Sequence, residues 1–241
     1  MILGKMMIPR ADSTLKHGLI SCWEFEETTG TTVYDSHGGN NMVRVGATVN
    51  QTGKTGKAYS FDGNDHLYKN PSGMFQNLPG LSVSAWVYPT FTTSSDYYLI
   101  IVSKLHSSWV SPNYQFQLRI RLGSYKLFEW VVGQASTFKG ISTAASTYGT
   151  NAWVFLAGTY DGQTLRIYMN GSLKNSDSFA SPGPTGNAIS NLFIGDDADL
   201  YANFREWQGK IDQVGIWNRA LTGDEVNQLF NSGNGLAYAG W

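Results

Sequence analysis

A single helix signal, lying close to the end of a chain whose other segments alternate with a period of two, confines this sequence to an all-β architecture. Thr222 stands three residues before Glu225, the reciprocal spacing of a capping box, and Val226, Leu229 and Phe230 follow at helical intervals. Upstream, residues 81–88 (LSVSAWVY), 114–121, 153–160 and 164–169 alternate as strands do. Asp161-Gly162 joins the last two and Asn170-Gly171 ends the second, both dipeptides suited to the positive φ of a hairpin turn. Residues 19–26, 58–61, 97–103, 126–132 and 192–194 continue the series, while the Ser/Thr/Gly/Pro stretches at 136–150 and 176–187 read as surface connections. With 27 Gly and only 15% charged residues among 241, the pattern predicts one two-sheet antiparallel sandwich over residues 17–241, preceded by an arm at 1–16.

Charge and cysteine usage narrow the partners. A net charge of -1 without a Lys/Arg run gives no electrostatic footprint for nucleic acid or an anionic membrane. No segment reaches the roughly 18 uninterrupted apolar residues of a membrane-inserted helix. The lone Cys22 excludes an intrachain disulfide and a multi-cysteine zinc site, which leaves it a small buried hydrophobe. The leader MILGKMMIPRADSTLKHG has too short an apolar run for a Sec-type signal. Its Ile2, Leu3, Met6, Met7 and Ile8 are costly to expose, so the arm is expected to pack on its own domain or on another subunit.

The strand at 209–217 carries one acid. Simple alternation sends Ile211, Gln213, Gly215 and Trp217 one way and Asp212, Val214, Ile216 and Asn218 the other, so Asp212 is expected among β-branched side chains and in need of a partner.

Five blocks in order, GLISCWEFEETTGTTVYDSHGGNN, GKAYSFDGNDHL, LSVSAWVYP, AWVFLAGTYDGQTLRIYMNGSL and GKIDQVGIWNRALTGDEVNQLF, resemble the laminin-G-like jelly roll of the concanavalin A-like lectin/glucanase superfamily over roughly residues 18–231. The resemblance implies two curved antiparallel sheets packed face to face, in modules that serve polysaccharide-active enzymes, adhesins and virus structural proteins. It implies no single activity, because the fold hosts lectins, hydrolases, lyases and spacers.

Three chemistries follow as expectations. Calcium takes six to eight oxygens, and Asp35 and Asn41 in the loop DSHGGNN, with Asp212 and Glu26, are the candidate ligands of a structural ion. The resemblance implies such an ion where the early loop and a late-strand acid meet, although His37 suits calcium poorly. The alternative is that Asp35 caps a turn and Asp212 accepts backbone hydrogen bonds. Glycan binding needs flat rings beside planar polar groups, which makes Tyr201, Phe204, Arg205 and Trp207 in YANFREW, with Trp109 and Tyr97, the candidate rim, core packing being the alternative for each ring. Asp62 and Asp65 read as a turn, and Asp196, Asp197 and Asp199 as solvated loop acids. Catalysis is not expected: the catalytic branch of this superfamily carries alternating acids in an E-x-D-x-x-E strand, Glu24 and Glu26 lack the third acid, and the four His have no H-x-x-x-H or triad companion.

The chain is therefore expected to be a non-catalytic binding or adhesion domain, displayed through its arm on other subunits of a phage or viral particle surface or in an extracellular setting. The alternatives are a carbohydrate-binding module of a polysaccharide-degrading system and a glycoside hydrolase or lyase.

Overall fold

The computed structural model describes residues 14–71, 73–91, 98–105, 114–147, 149–187, 189–197 and 205–241. In chain order the strands are β1 (Leu19–Trp23), β2 (Thr32–Val33), β3 (Met42–Val45), β4 (Thr48–Thr52), β5 (Lys57–Asp62), β6 (His66–Lys69), β7 (Leu81–Pro89), β8 (Tyr98–Leu105), β9 (Tyr114–Arg121), β10 (Leu127–Gly133), β11 (Phe138–Ser142), β12 (Val154–Tyr160), β13 (Thr164–Met169), β14 (Ser172–Ser178), β15 (Leu192–Ile194) and β16 (Gln208–Trp217). They form two antiparallel eight-stranded sheets. The first runs β14-β13-β12-β7-β16-β5-β4, with β1 also on β16; the second runs β11-β10-β9-β8-β15-β6-β3-β2. This is the jelly-roll sandwich the sequence predicts. One α-helix, α1 (Gly223–Phe230), lies near its C-terminal end.

The core lies between the sheets. Phe116, Leu118 and Ile120 of β9 and Phe128, Trp130 and Val132 of β10 meet Val83, Ala85 and Val87 of β7 and Leu156 of β12 there. Gly158 in β12 admits the Trp130 ring, since a Cβ at that position would stand 2.3 Å from it.

The strand β16 departs from simple alternation. Its register on β7 shifts between Asp212 and Gly215, and Gln213 takes the left-handed conformation at φ 49°. One extra residue in a strand reverses the parity of everything beyond it. Ile211, Val214 and Ile216 therefore all enter the core, and Trp217 packs on the outer face of the first sheet. Asp212 does not share a face with Val214 and Ile216 as expected; it is paired in register with Trp86, on the outer side.

That outer face is covered. Val226 and Leu229 of α1 join Trp86, Phe155, Tyr168 and Trp217 in a second apolar cluster. Trp241 stacks on Trp217 at 5.4 Å between ring centroids, and Phe230 stacks on Trp86 at 5.8 Å. Thr14–Lys16 forms a 3-10 turn whose Leu15 is buried in the same cluster, with its carbonyl accepting the Trp217 Nε1 hydrogen bond at 2.6 Å. Residues 14–16 thus pack on the domain, and residues 1–13 of the expected arm lie outside the described residues. Among the described residues, no helix is long and apolar enough to cross a membrane.

A capping box starts α1: Thr222 Oγ1 accepts from Glu225 N at 3.2 Å and the Glu225 carboxylate accepts from Thr222 N at 2.8 Å. Arg219 clamps the same carboxylate at 2.7 and 2.8 Å and also donates to the carbonyls of Thr14 and His17. Burial alone would raise the Glu225 carboxyl, but the Arg219 hydrogen bonds and the Thr222 amide outweigh it and hold the group at about 2. A depressed carboxyl stabilises the fold above its unfolded value near 4.3, and that stabilisation is lost as pH falls toward 2. Glu225→Gln is expected to cost about 1–3 kcal/mol at pH 7, and the gap to wild type should close between pH 4 and pH 2 in thermal melts. A gap that stays constant with pH would refute the assignment.

Candidate functional site

Among the described residues, no helix covers the outer face of the second sheet. In β9 the even positions from Phe116 to Ile120 fill the core, so Gln115, Gln117, Arg119 and Arg121 point outward. Toward one end that face is closed over. Gln115, Gln117 and Ser103 are fully buried, and the loop through Asp197 lies against them: Gln117 Nε2 donates to Asp197 Oδ2 at 3.3 Å, and Arg205 donates to the same oxygen at 3.0 Å. Neither amide atom of Gln115 has a hydrogen-bond partner among the described residues.

Toward the other end the face is open and carries planar groups in pairs. Tyr98 of β8 lies directly opposite Arg121, and Arg119 directly opposite Glu129 of β10. The Arg119 guanidinium sits 4.0 Å from the Tyr98 ring centroid and donates to Glu129 at 2.8 Å and to Gln117 Oε1 at 2.8 Å. The Arg121 guanidinium lies 3.7 Å from the Tyr125 ring and 5.7 Å from that of Tyr98. Tyr125 is 40% exposed, on a hairpin that Gly123 (φ 73°) and Lys126 (φ 46°) allow to turn. The hairpin is held in place, because Ser146 N donates to the Tyr125 carbonyl and Thr147 N to that of Lys126. Two tyrosine rings and two guanidinium planes, fixed by neighbours, thus form a patch that can stack on a flat apolar ligand surface and donate hydrogen bonds around it. The signal in the sequence is the pair of arginines two apart in YQFQLRIR; only the strand register brings Tyr98, Tyr125 and Glu129 to them.

The sequence-predicted rim divides. Tyr97, Trp109, Tyr201 and Phe204 lie outside the described residues. Trp207 is fully buried in the core, with its ring edge-on to Phe91 at 5.9 Å, so its face is not offered to a ligand. Hydrophobic burial outweighs the position after an acidic turn that suggested a rim. Arg205 stays at the margin, engaged by Asp197. Asp199 lies outside the described residues, but the other two acids of that turn are not simply solvated: Asp197 is buried, and burial together with the Asp197 and Glu206 charges pushes the Asp196 carboxyl up to about 7. Asp62 accepts from Asn64 N at 2.9 Å, as a turn acid does.

The candidate calcium ligands also separate. Asp35 Oδ1 accepts from the amides of Cys22 and His37, and Oδ2 from those of Gly38 and Asn40, at 2.9–3.1 Å. Asn41 Oδ1 accepts from Asp35 N at 3.0 Å. These oxygens are saturated by N–H donors, and the pair folds the loop instead of fitting a cation. Asp212 differs. It is fully buried, its Oδ2 accepts from Lys54 N at 2.7 Å and Thr55 N at 3.1 Å, and its Oδ1 makes no geometrically sound hydrogen bond among the described residues, although the Gln213 amide lies close enough to pull on the carboxyl. Burial first, with the Glu26 charge adding, raises this carboxyl to about 8 against the pull of those amides. Glu26 reaches the same loop, its Oε1 accepting from Lys57 N at 3.0 Å. A Cβ on Gly53 would stand 2.7 Å from Asp212 Oδ2, and one on Gly56 2.1 Å from Glu26 Oε1, so both glycines let the main chain press against the acids. Asp212 and Glu26 thus both meet the 53–57 loop, whereas Asp35 and Asn41 fold their own loop. Among the described residues no group of three or more His, Cys, Asp or Glu converges on a metal position.

Glu24 and Glu26, which simple alternation puts on one strand face, are held apart in role. β1 ends at Trp23 and Phe25 turns to φ 58°; Glu24 accepts from Ser36 Oγ and Tyr238 N, whereas Glu26 serves the 53–57 loop.

No curated protein matches the chain in sequence. Solved structures similar in fold include the binding domain of Paraclostridial Mosquitocidal Protein 1 (18% identity, 90% of this chain and 53% of that one, TM-score 0.68). They also include the botulinum neurotoxin serotype D ligand binding domain in complex with N-acetylneuraminic acid (17%, 89% and 50%, 0.64) and the botulinum neurotoxin type G receptor binding domain (18%, 89% and 51%, 0.62). The chain spans about half the length of these structures. A family model of laminin G-like domains of the concanavalin A-like lectin/glucanase superfamily matches residues 61–227, and the chain belongs to that family.

Proposed function

We propose that this protein is a non-catalytic glycan-binding module whose sugar site is the open end of the second sheet's outer face. The observation that carries the reading is the pair of arginine-on-tyrosine stacks, Arg119 on Tyr98 and Arg121 on Tyr125, on a face that no helix covers among the described residues. Sugars present C–H faces to rings and hydroxyls to planar donors, and this patch supplies both kinds of group. The neurotoxin domain solved with N-acetylneuraminic acid supports a binding role for the fold, but the chain spans half of it, so the reading rests on this chain's own residues. The reading extends to display on a larger assembly such as a phage particle, with the part of the expected arm before Thr14 as the attachment segment, supported by the apolar Ile2, Leu3, Met6, Met7 and Ile8. It also includes structural calcium, where bound, held by Asp212 and Glu26; the ion would supply the positive charge that the buried Asp212 carboxylate lacks.

A glycan array followed by titration calorimetry tests the site. Tyr125→Ala is expected to weaken the best binder about three- to tenfold, while Leu173→Ala on the other sheet leaves it unchanged. A blank array sinks the reading. For attachment, deleting residues 1–13 is expected to leave the melting temperature unchanged, since Leu15 stays in place, and to abolish incorporation into particles; retained incorporation would refute the segment's role.

The Asp212 carboxyl sets a pH signature. Its folded value near 8 lies above the unfolded value of about 3.9, so the neutral acid is favoured by folding, and the stability it contributes below pH 4 is lost as pH rises to 8. In chelator, wild type is expected to lose stability over that range relative to Asp212→Asn. Calcium at about 100 times its Kd should restore about 2.7 kcal/mol to wild type and leave the variant unmoved. Equal pH slopes would discard the buried-charge account, and no calcium response in wild type would discard the ion.

A further inference from the structure

The two arginines of the open face are not equivalent. Arg119 has its counter-charge in Glu129 and a further acceptor in Gln117, so its donors are largely engaged. The Arg121 guanidinium makes no hydrogen bond or ion pair among the described residues; its contacts are the Tyr125 and Tyr98 rings. Lys126 is exposed next to Tyr125, so the Arg119, Arg121, Lys126 and Glu129 charges leave this patch cationic on a chain whose net charge is -1. A guanidinium stacked on aromatic faces is held in orientation while its edge remains open to an acceptor. The fork of N–H groups on that edge matches an oxyanion better than a neutral hydroxyl.

We propose that the sugar taken by this face is anionic, and that Arg121 receives its carboxylate or sulfate as a bidentate pair while the Tyr125 and Tyr98 rings and Arg119 position the rest of the residue. This rests on the glycan reading above and adds the ligand's charge class to it. Arg121 is the specificity-determining residue, because a neutral sugar leaves its fork without a partner. The chain's overall charge would not steer such a ligand; the selectivity is local.

Titration calorimetry of the full chain with 3′-sialyllactose, lactose 6′-sulfate and lactose separates the possibilities. At least one charged sugar is expected to bind about tenfold or more tightly than lactose, to weaken as salt is raised, and to fall to the level of lactose in Arg121→Ala. Arg121→Lys should retain part of the difference, since it keeps the charge and loses the fork. Preference for the sialylated sugar assigns a carboxylate, preference for the sulfated one a sulfate, and equal preference a shared oxyanion site; all three support the proposal. Near-ultraviolet circular dichroism confirms that each variant is folded, which a half-exposed residue without an ion pair permits. If lactose and the charged sugars bind wild type alike and Arg121→Ala changes neither, the charge assignment is overturned while glycan binding stands. If none of the three binds and the array is blank, both fall together.

Discussion

The extra residue at Gln213 is the constraint on which the arrangement of this sandwich depends. β16 is the only described strand bonded to three others, meeting β7 along one side and β5 and then β1 along the other. A strand of strict alternation could not send Ile211, Val214 and Ile216 all into the core and still deliver Trp217 to the outer cluster. The left-handed turn at Gln213 reconciles the two demands. Trp217 then has its place against Trp241 and Leu15, so the cover over the first sheet is assembled around the consequence of one bulge. Asp212 is carried to the same outer side by that change of parity, and the 53–57 loop closes over it.

Among the described residues, a helix covers the outer face of only one of the two sheets. The first is apolar on both faces, and its outer face is sealed by α1 and the segment ending at Trp241. The second has its outer face built from Gln, Arg, Tyr and Glu, with Gln115 and Gln117 closed over, Arg119 and Arg121 partly buried and Tyr125 exposed. Packing alone does not explain a guanidinium pair there, since solvated long side chains would keep more freedom unstacked. The hydrogen bonds from Ser146 and Thr147 that pin the Tyr125 hairpin act on the position of a surface ring, which core stability does not require.

Much of the fold is legible in the sequence. β7, β9, β12 and β13 announce themselves by alternating apolar residues, and the Thr222/Glu225 box with its apolar stripe marks α1, because these elements bury one face and so write their period into the chain. β14, reading SLKNSDS, is exposed at every position, and only its backbone pairing with β13 makes it a strand. Nothing in its side chains records that, and the same holds for the short β2 and for β11 at the sheet margin, whose Lys139 bonds to Asp177 of β14. The site was less legible than the fold. Trp207 looks like a rim residue by position and is core by burial, and Arg121 looks like any strand arginine until the register sets Tyr98 opposite it. Ligand positions inferred from acids alone also mislead: Asp35 and Asp212 carry the same group, but one is wrapped by four amides and the other retains a bare buried oxygen.

Departures from local rules gather at one end of the β1–β16 pairing. Phe25 is left-handed directly after β1, Gln213 is left-handed in β16, Asp212 is a buried carboxylate with one unpaired oxygen, and Gly53 and Gly56 leave no room for side chains against Asp212 and Glu26. Each is costly taken singly, of order 1–3 kcal/mol for a strained backbone or an unsatisfied buried acceptor. The 53–57 loop meets both acids there, so the surrounding sheet holds a geometry that the bare chain does not favour. On the opposite sheet Arg119 is paired with Glu129, whereas the Arg121 side chain makes no hydrogen bond or ion pair among the described residues. The sandwich thus keeps the buried acid and the stacked arginines on separate outer faces, the first closed under the 53–57 loop.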